Sequence, residues 1–191
     1  SIMKTRMWFA IGLLGLFASC TSNTCKIEGT VQNAQDGDTL FMARMTNGKF
    51  VPSDTIVLQN GKFSLQEKCD STVIASYFYH NKQNDEVYSN IFFMEKGNVQ
   101  LTIGPDGKAT GTESNDIYQS LSDSVFAIHQ QMNALYSQHI PTDADENFTP
   151  DSLTEQKLVE LDQKANQILK SHVEKYIATP CGYFLLLSCY D

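Results

Sequence analysis

The stretch Asp54–Leu65, Asp-Thr-Ile-Val-Leu-Gln-Asn-Gly-Lys-Phe-Ser-Leu, constrains the fold more than any other in the chain. Asn60-Gly61 is the strongest short hairpin signal available, because a two-residue type I′ turn needs positive φ at two successive residues. A turn there fixes a register: Gln59 faces Lys62, Leu58 faces Phe63, Val57 faces Ser64 and Ile56 faces Leu65. Opposed residues share a face. Ile56, Leu58, Phe63 and Leu65 therefore form one apolar patch, and Thr55, Val57, Gln59, Lys62 and Ser64 a mostly polar one. Such a hairpin is half of a sandwich layer and requires other strands to cover it.

Those strands are legible on both sides. Cys25–Gln32 alternates Ile27, Gly29 and Val31 with Lys26, Glu28 and Thr30, a half-buried strand. Thr39–Met45 is nearly apolar throughout, so its faces cannot be told apart. Thr72–Tyr79 is β-branched and aromatic. Tyr88–Met94 and Val99–Ile103 read as a second hairpin around Glu95-Lys96-Gly97-Asn98. Asn33–Gly37, Thr46-Asn47-Gly48 and Pro105-Asp106-Gly107 punctuate the series, and Pro52 ends the linker before the first hairpin. Short strands with turn signals at nearly every junction predict an antiparallel β-sandwich of about seven to eight strands over residues 25–114.

After Asn115 the period changes. Ile117, Leu121, Val125, Ile128, Met132 and Leu135 are spaced as one face of an amphipathic helix, with Asn115 as its N-cap. Residues 139–148 form a loop, and Thr149-Pro150 opens a second helix with a cap and proline at the first position. Its stripe runs through Leu158, Leu161, Ala165, Ile168, His172 and Tyr176, and Pro180 stops it. Gly182–Tyr190 begins a third, strongly apolar helix that meets Asp191 without a cap, which reads as an interrupted product. The class is thus mainly β with C-terminal helices, a helical hairpin and the start of a third helix filling residues 115–191.

The N-terminus reads as a leader. Met3-Lys4-Thr5-Arg6 is basic and Met7–Phe17 apolar, too short to span a bilayer as a helix of about 20 residues. Phe17-Ala18-Ser19-Cys20 resembles a bacterial lipobox. The expectation is a signal peptide over residues 1–19, lipidation of Cys20, and a polar tether over residues 20–24. No acidic run follows Cys20, so the expected location is the cell envelope, attached by lipid to the outer membrane and facing the periplasm.

Net charge is −8, without a basic stripe. Nucleic acid is therefore not an expected partner. The five cysteines, Cys20, Cys25, Cys69, Cys181 and Cys189, contain no C-x-x-C pair. Cys181 and Cys189 on one helix are about 12 Å apart along it, too far to bond. Cys25 and Cys69 can bridge in an oxidising periplasm, or both can remain unpaired. His80, His129, His139 and His172 have no metal spacing. Asp143-x-Asp145-x-Asn147 has the opening of a calcium loop, but Phe148 stands where glycine is required and Thr154 where glutamate belongs. No catalytic residue, metal ligand or cofactor is expected. Tyr77, Phe78, Tyr79, Tyr88, Phe92 and Phe93 form either a sandwich core or a sugar-binding face.

Five pieces in order carry a resemblance. They are the glycine-containing first strand, Ser53-Asp54-Thr55, Asn60-Gly61-Lys62-Phe63, Phe93-Met94-Glu95-Lys96-Gly97-Asn98-Val99, and Gly111-Thr112-Glu113-Ser114-Asn115. Together, over roughly residues 25–120, they resemble domain-of-unknown-function family 4369. The resemblance implies a secreted lipoprotein of a Gram-negative bacterium, often with a thioredoxin-like domain after the β module and a helical linker. Two functions follow as expectations. One is a non-catalytic accessory module for a fused thioredoxin-like domain or a partner protein. The other is a stand-alone lipoprotein that binds a glycan or other nutrient.

Overall fold

The computed structural model describes residues 23–189. Eight strands form two four-stranded sheets. They are β1 (Thr24–Val31), β2 (Thr39–Thr46), β3 (Lys49–Val57), β4 (Lys62–Lys68), β5 (Val73–Asn81), β6 (Glu86–Met94), β7 (Gly97–Ile103) and β8 (Lys108–Thr110). One sheet has the order β4-β1-β7-β8 and the other β3-β2-β5-β6. All pairings are antiparallel except β1–β7, which is parallel. The predicted strands are all present, and β8 is an addition too short to announce itself.

Between the sheets lies a core of alternate residues from every long strand, including Ile27, Leu40, Leu58, Tyr79, Phe92, Val99 and Ile103, all 0% exposed. The outward partners of these residues are polar on β1, β4 and β7, which is the period-2 pattern of a sandwich sheet with one solvated face. Pro52 does not precede β3 but lies within it. It is tolerated there because β3 is an edge strand and its register against β2 shifts at Met42/Ala43.

Both predicted hairpins need correcting. The turn at Asn60-Gly61 is tight, with Asn60 at φ 53° and Gly61 at φ 68°, and Gln59 and Lys62 exchange both backbone hydrogen bonds. Beyond that single pair the strands part. Leu58 N donates to Asp38 O (2.8 Å) and Leu58 O accepts from Gly37 N (3.0 Å), which extends the β2–β3 ladder. Phe63 faces Gly29 and Leu65 faces Ile27 on β1. The turn is a corner between sheets, so Leu58–Phe63, Val57–Ser64 and Ile56–Leu65 are not ladder pairs. The apolar patch survives in another form: Ile56 and Leu58 enter the core from one sheet, Phe63 and Leu65 from the other. β6 and β7 likewise belong to different sheets, and the residues between them form a second corner.

Three helices follow: α1 (Glu113–His139), α2 (Ser152–Tyr176) and α3 (Pro180–Cys189). The N-cap of α1 is Thr112, not Asn115. That of α2 is Asp151 rather than the Thr149-Pro150 pair. Its carboxylate accepts from Thr154 N (2.9 Å) and Thr154 Oγ1 (2.8 Å), a stronger cap than a threonine hydroxyl offers. The threonine-proline start occurs instead at α3, where Thr179 Oγ1 accepts from Gly182 N (3.1 Å) and Pro180 is the first helical residue. Pro180 thus opens α3, and α2 has already ended at Tyr176.

The helices sit on the outer face of the β3-β2-β5-β6 sheet, at one end. Ile74 and Phe93, cross-strand partners pointing away from the sandwich core, pack with Ile117, Leu121, Val173, Cys181 and Leu185 in a second apolar cluster. Phe93 meets Tyr118 and Phe184 edge-on, with ring centroids 5.9 and 5.7 Å apart.

Candidate functional site

The polar chemistry of the molecule converges where the sandwich meets α1. Glu95, in the corner between β6 and β7, is 9% exposed and points at the start of α1. Its Oε1 accepts from Ser114 N (2.7 Å), and its Oε2 accepts from Ser114 Oγ (2.8 Å) and Thr72 Oγ1 (3.0 Å). A carboxylate from the sheet corner therefore caps the helix, satisfying an orphan N–H at the positive end of its dipole. Asn115 completes the joint. Its Oδ1 accepts from Phe93 N (2.9 Å), while its Nδ2 donates to Phe93 O (2.8 Å) and Thr112 Oγ1 (2.7 Å). One side-chain amide thus occupies both hydrogen-bonding groups of Phe93 on the edge strand β6, a protection that edge strands need.

Two glycines let the segments close. Gly97 and Gly111 have φ of 115° and 100°. A Cβ on Gly111 would lie 2.3 Å from Asn98 O, and one on Gly97 3.3 Å from the Thr112 methyl group. Residues 93–99 and 111–115 form a clasp, and a side chain at either glycine would wedge it apart.

Beside the clasp are three thiols. Cys25, Cys69 and Cys181 are free, the first and last fully buried and Cys69 half-buried. Burial pushes the Cys25 thiol up to about 11, with Cys69 a further cause. Burial likewise pushes Cys181 up to about 12, reinforced by the Glu95 carboxylate, and raises Cys69. Each of these shifts favours the thiol over the thiolate. Cys69 borders an open cleft of about 290 Å³ with Asn23, Ser71, Thr72, Glu95 and Lys96.

The other sequence candidates disperse. Cys20 and the leader lie outside the described residues. His80 Nε2 is 2.6 Å from Asp85 at an exposed turn, and His172 Nδ1 is 3.1 Å from Ile168 O within α2. Asp145 Oδ1 accepts from Asn147 N (2.9 Å), an ordinary Asx turn. Among the described residues no three His, Cys, Asp or Glu side chains are grouped to hold a metal ion. Of the aromatic set, Tyr77, Tyr79, Phe92 and Phe93 are buried, so most of it is core.

A different apolar surface is exposed. On the outer face of the β3-β2-β5-β6 sheet, away from the helices, Phe41 (48%), Phe50 (42%), Val57 (61%), Phe78 (44%) and Val87 (51%) face solvent. Phe41 and Phe78 are direct cross-strand partners. The same sheet face is therefore covered by helices around Ile74 and Phe93 and bare around Phe41 and Phe78. The near-continuous apolar run Thr39–Met45 signalled a strand apolar on both faces, although not which side would be bare.

Two facing sheets, clasped at one corner to a helical hairpin, define a β-sandwich module with a helical extension. Residues 25–118 match the family described as Domain of unknown function (DUF4369), and this part of the chain belongs to that family. No curated protein and no solved structure matches the chain. The pieces that carried the resemblance are architectural: Phe63 lies across Gly29, Asp54 meets Arg44 (3.4 Å), Asn60-Gly61 turns the corner, and the last two pieces close the clasp. Glu95, Ser114 and Thr72 escaped sequence reasoning as a unit, though the first two stood within those pieces.

Proposed function

We propose that this chain is a lipoprotein of the cell envelope, anchored through Cys20, whose β-sandwich is a non-catalytic interaction module for a thioredoxin-like thiol-disulfide oxidoreductase domain. The observation that carries this reading is the bare apolar face around Phe41 and Phe78, continuous with the area that α1 and α3 already cover. Exposed apolar patches of this kind mark interaction surfaces. The polar side chains of the clasp are by contrast occupied with one another. Among the described residues no helix is long and apolar enough to cross a membrane, so attachment in this reading falls to the lipid on Cys20.

A photo-crosslinking residue at Phe78 in cells tests the module role. The expected product is a crosslink to a polypeptide bearing a C-x-x-C motif, lost when the probe is moved to Lys62 on the other sheet. Absence of any crosslink at position 78 overturns it. Anchoring is tested separately by Cys20→Ala, which releases the protein to the soluble fraction if the lipid holds it. A second reading, binding of a glycan or other nutrient, is favoured by one feature. Phe41 and Phe78 flank Ser53, Asp54, Thr55 and Ser76 in a depression of about 410 Å³, a combination of ring faces and hydroxyls suited to a sugar. Saturable binding of an oligosaccharide, abolished by Phe41→Ala, selects that reading instead.

A further inference from the structure

We infer that Cys25 and Cys69 are a dithiol poised to close into an intramolecular disulfide, with Cys69 as the sulfur through which oxidation enters. The strand register brings them together. Thr24 faces Lys68 on the β1–β4 ladder, and Cys69 N donates to Asn23 O (2.6 Å), so residue 69 stands opposite residue 23 and diagonal to Cys25. Diagonal neighbours on one face have Cα atoms about 7–8 Å apart, with the Cβ atoms closer. That is just outside the roughly 4.4–6.8 Å that a disulfide spans. Cys69 follows the last residue of β4, where backbone can shift without breaking a ladder pair.

Both cysteines lie at the same corner of the sandwich. Cys25 stands opposite Gly97 on β7, just past the corner between β6 and β7. Cys69 Sγ donates to Met94 O (3.6 Å) and to Ser71 O (3.2 Å), so both cysteines border that corner. The pair is not equivalent. Cys25 is sealed in the core, whereas Cys69 borders the cleft beside the clasp. An oxidant arriving from solution therefore meets Cys69 before Cys25.

The chemistry balances with a small or protein disulfide as oxidant. Cys69 thiolate attacks one sulfur of that disulfide, forming a mixed disulfide and expelling a thiolate. Cys25 gives up its proton to the expelled thiolate or to water and attacks Cys69 Sγ, and the second thiolate leaves. Two cysteines are oxidised and one disulfide is reduced to two thiols. The bond ties the start of β1 to residues 69–72, which include Thr72 of the Glu95 clasp. This inference stands apart from the envelope and partner readings, since it concerns the closing of a pair within one chain.

The test uses the purified full chain in oxidised and reduced glutathione, followed by alkylation in denaturant and peptide mapping without reduction. The expected result is a Cys25–Cys69 linked peptide and a thermal midpoint roughly 5–10 °C above that of the reduced chain. Cys25→Ser should stop at the mixed disulfide and leave glutathione on Cys69, whereas Cys69→Ser should leave Cys25 unmodified in the folded chain. The inference is overturned if Cys25 and Cys69 both remain alkylatable in wild type, or if either links to Cys181. The wild-type map decides the matter even if a variant fails to fold.

Discussion

The chain makes the same tight turn twice with opposite consequences. Asn47-Gly48 (φ 51° and 77°) and Asn60-Gly61 (φ 53° and 68°) are the same dipeptide in the same left-handed conformation. The first joins β2 to β3 in one sheet, with Thr46 facing Lys49 and the ladder running on. The second passes the chain from one sheet to the other after a single pair. The difference lies in what surrounds them. A Cβ on Gly48 would meet open space, whereas one on Gly61 would lie 3.0 Å from Val31 O, and Gly61 O accepts from Val31 N (2.7 Å). Asn60 N donates to Asp36 Oδ1 (3.1 Å), and Gly37 and Asp38 hold Leu58. A turn dipeptide specifies a reversal of direction, while the neighbouring strand edges specify which sheet receives the chain.

The largest expected effect lies just past the second turn. Phe63 is 8% exposed and lies across Gly29, so Phe63→Ala should cost about 3–5 kcal/mol. Phe50, just past the first turn, is 42% exposed, and Phe50→Ala should cost no more than about 1 kcal/mol. Urea midpoints at constant slope measure both. Equal losses would mean that the second turn is no more embedded than the first.

The glycines themselves sharpen the contrast. Alanine at either position is strained in the left-handed region by about 1–2 kcal/mol. Gly61→Ala adds the close approach to Val31 O, so it should be the more destabilising of the two. If Gly48→Ala proved as costly in the same assay, the sheet edge around Gly61 would not be enforcing the corner.

Acid should act on the second turn selectively. The Asp38 carboxyl is held below its usual range by the Tyr79 hydroxyl (2.5 Å) and by Gln35 N (2.9 Å). A carboxyl depressed on folding stabilises the protein above its unfolded pKa of about 4, and that contribution is lost as pH falls through the folded value. Asp38→Asn should therefore flatten the decline of the urea midpoint below about pH 4. An acid limb identical to that of wild type would remove Asp38 from the wiring of the corner.

The smallest effect is expected at Lys62, an exposed residue beside Gly61, where Lys62→Ala should stay within about 0.5 kcal/mol. A loss there comparable to that of Phe63 would put the wrong face of β4 inward.

By itself the sequence determined what is local. The positive-φ dipeptides, the alternation of Ile27, Gly29 and Val31, and the helical spacing from Ile117 to Leu135 each act over a few residues, and each element formed where those signals stood. Partner choice was not local. That β1 runs parallel to β7, that β3 and β4 part after one pair, and that Cys25 comes beside Cys69 follow from which edges and faces could be buried together. Asn115 shows the limit most plainly. Its sequence neighbours suit an N-cap, yet the edge of β6 offered its amide two backbone partners, and only the folded sheet brings Phe93 within reach. Turn geometry is set by torsions within a residue or two, whereas burial and hydrogen-bond satisfaction are settled between segments that meet only once the chain has folded.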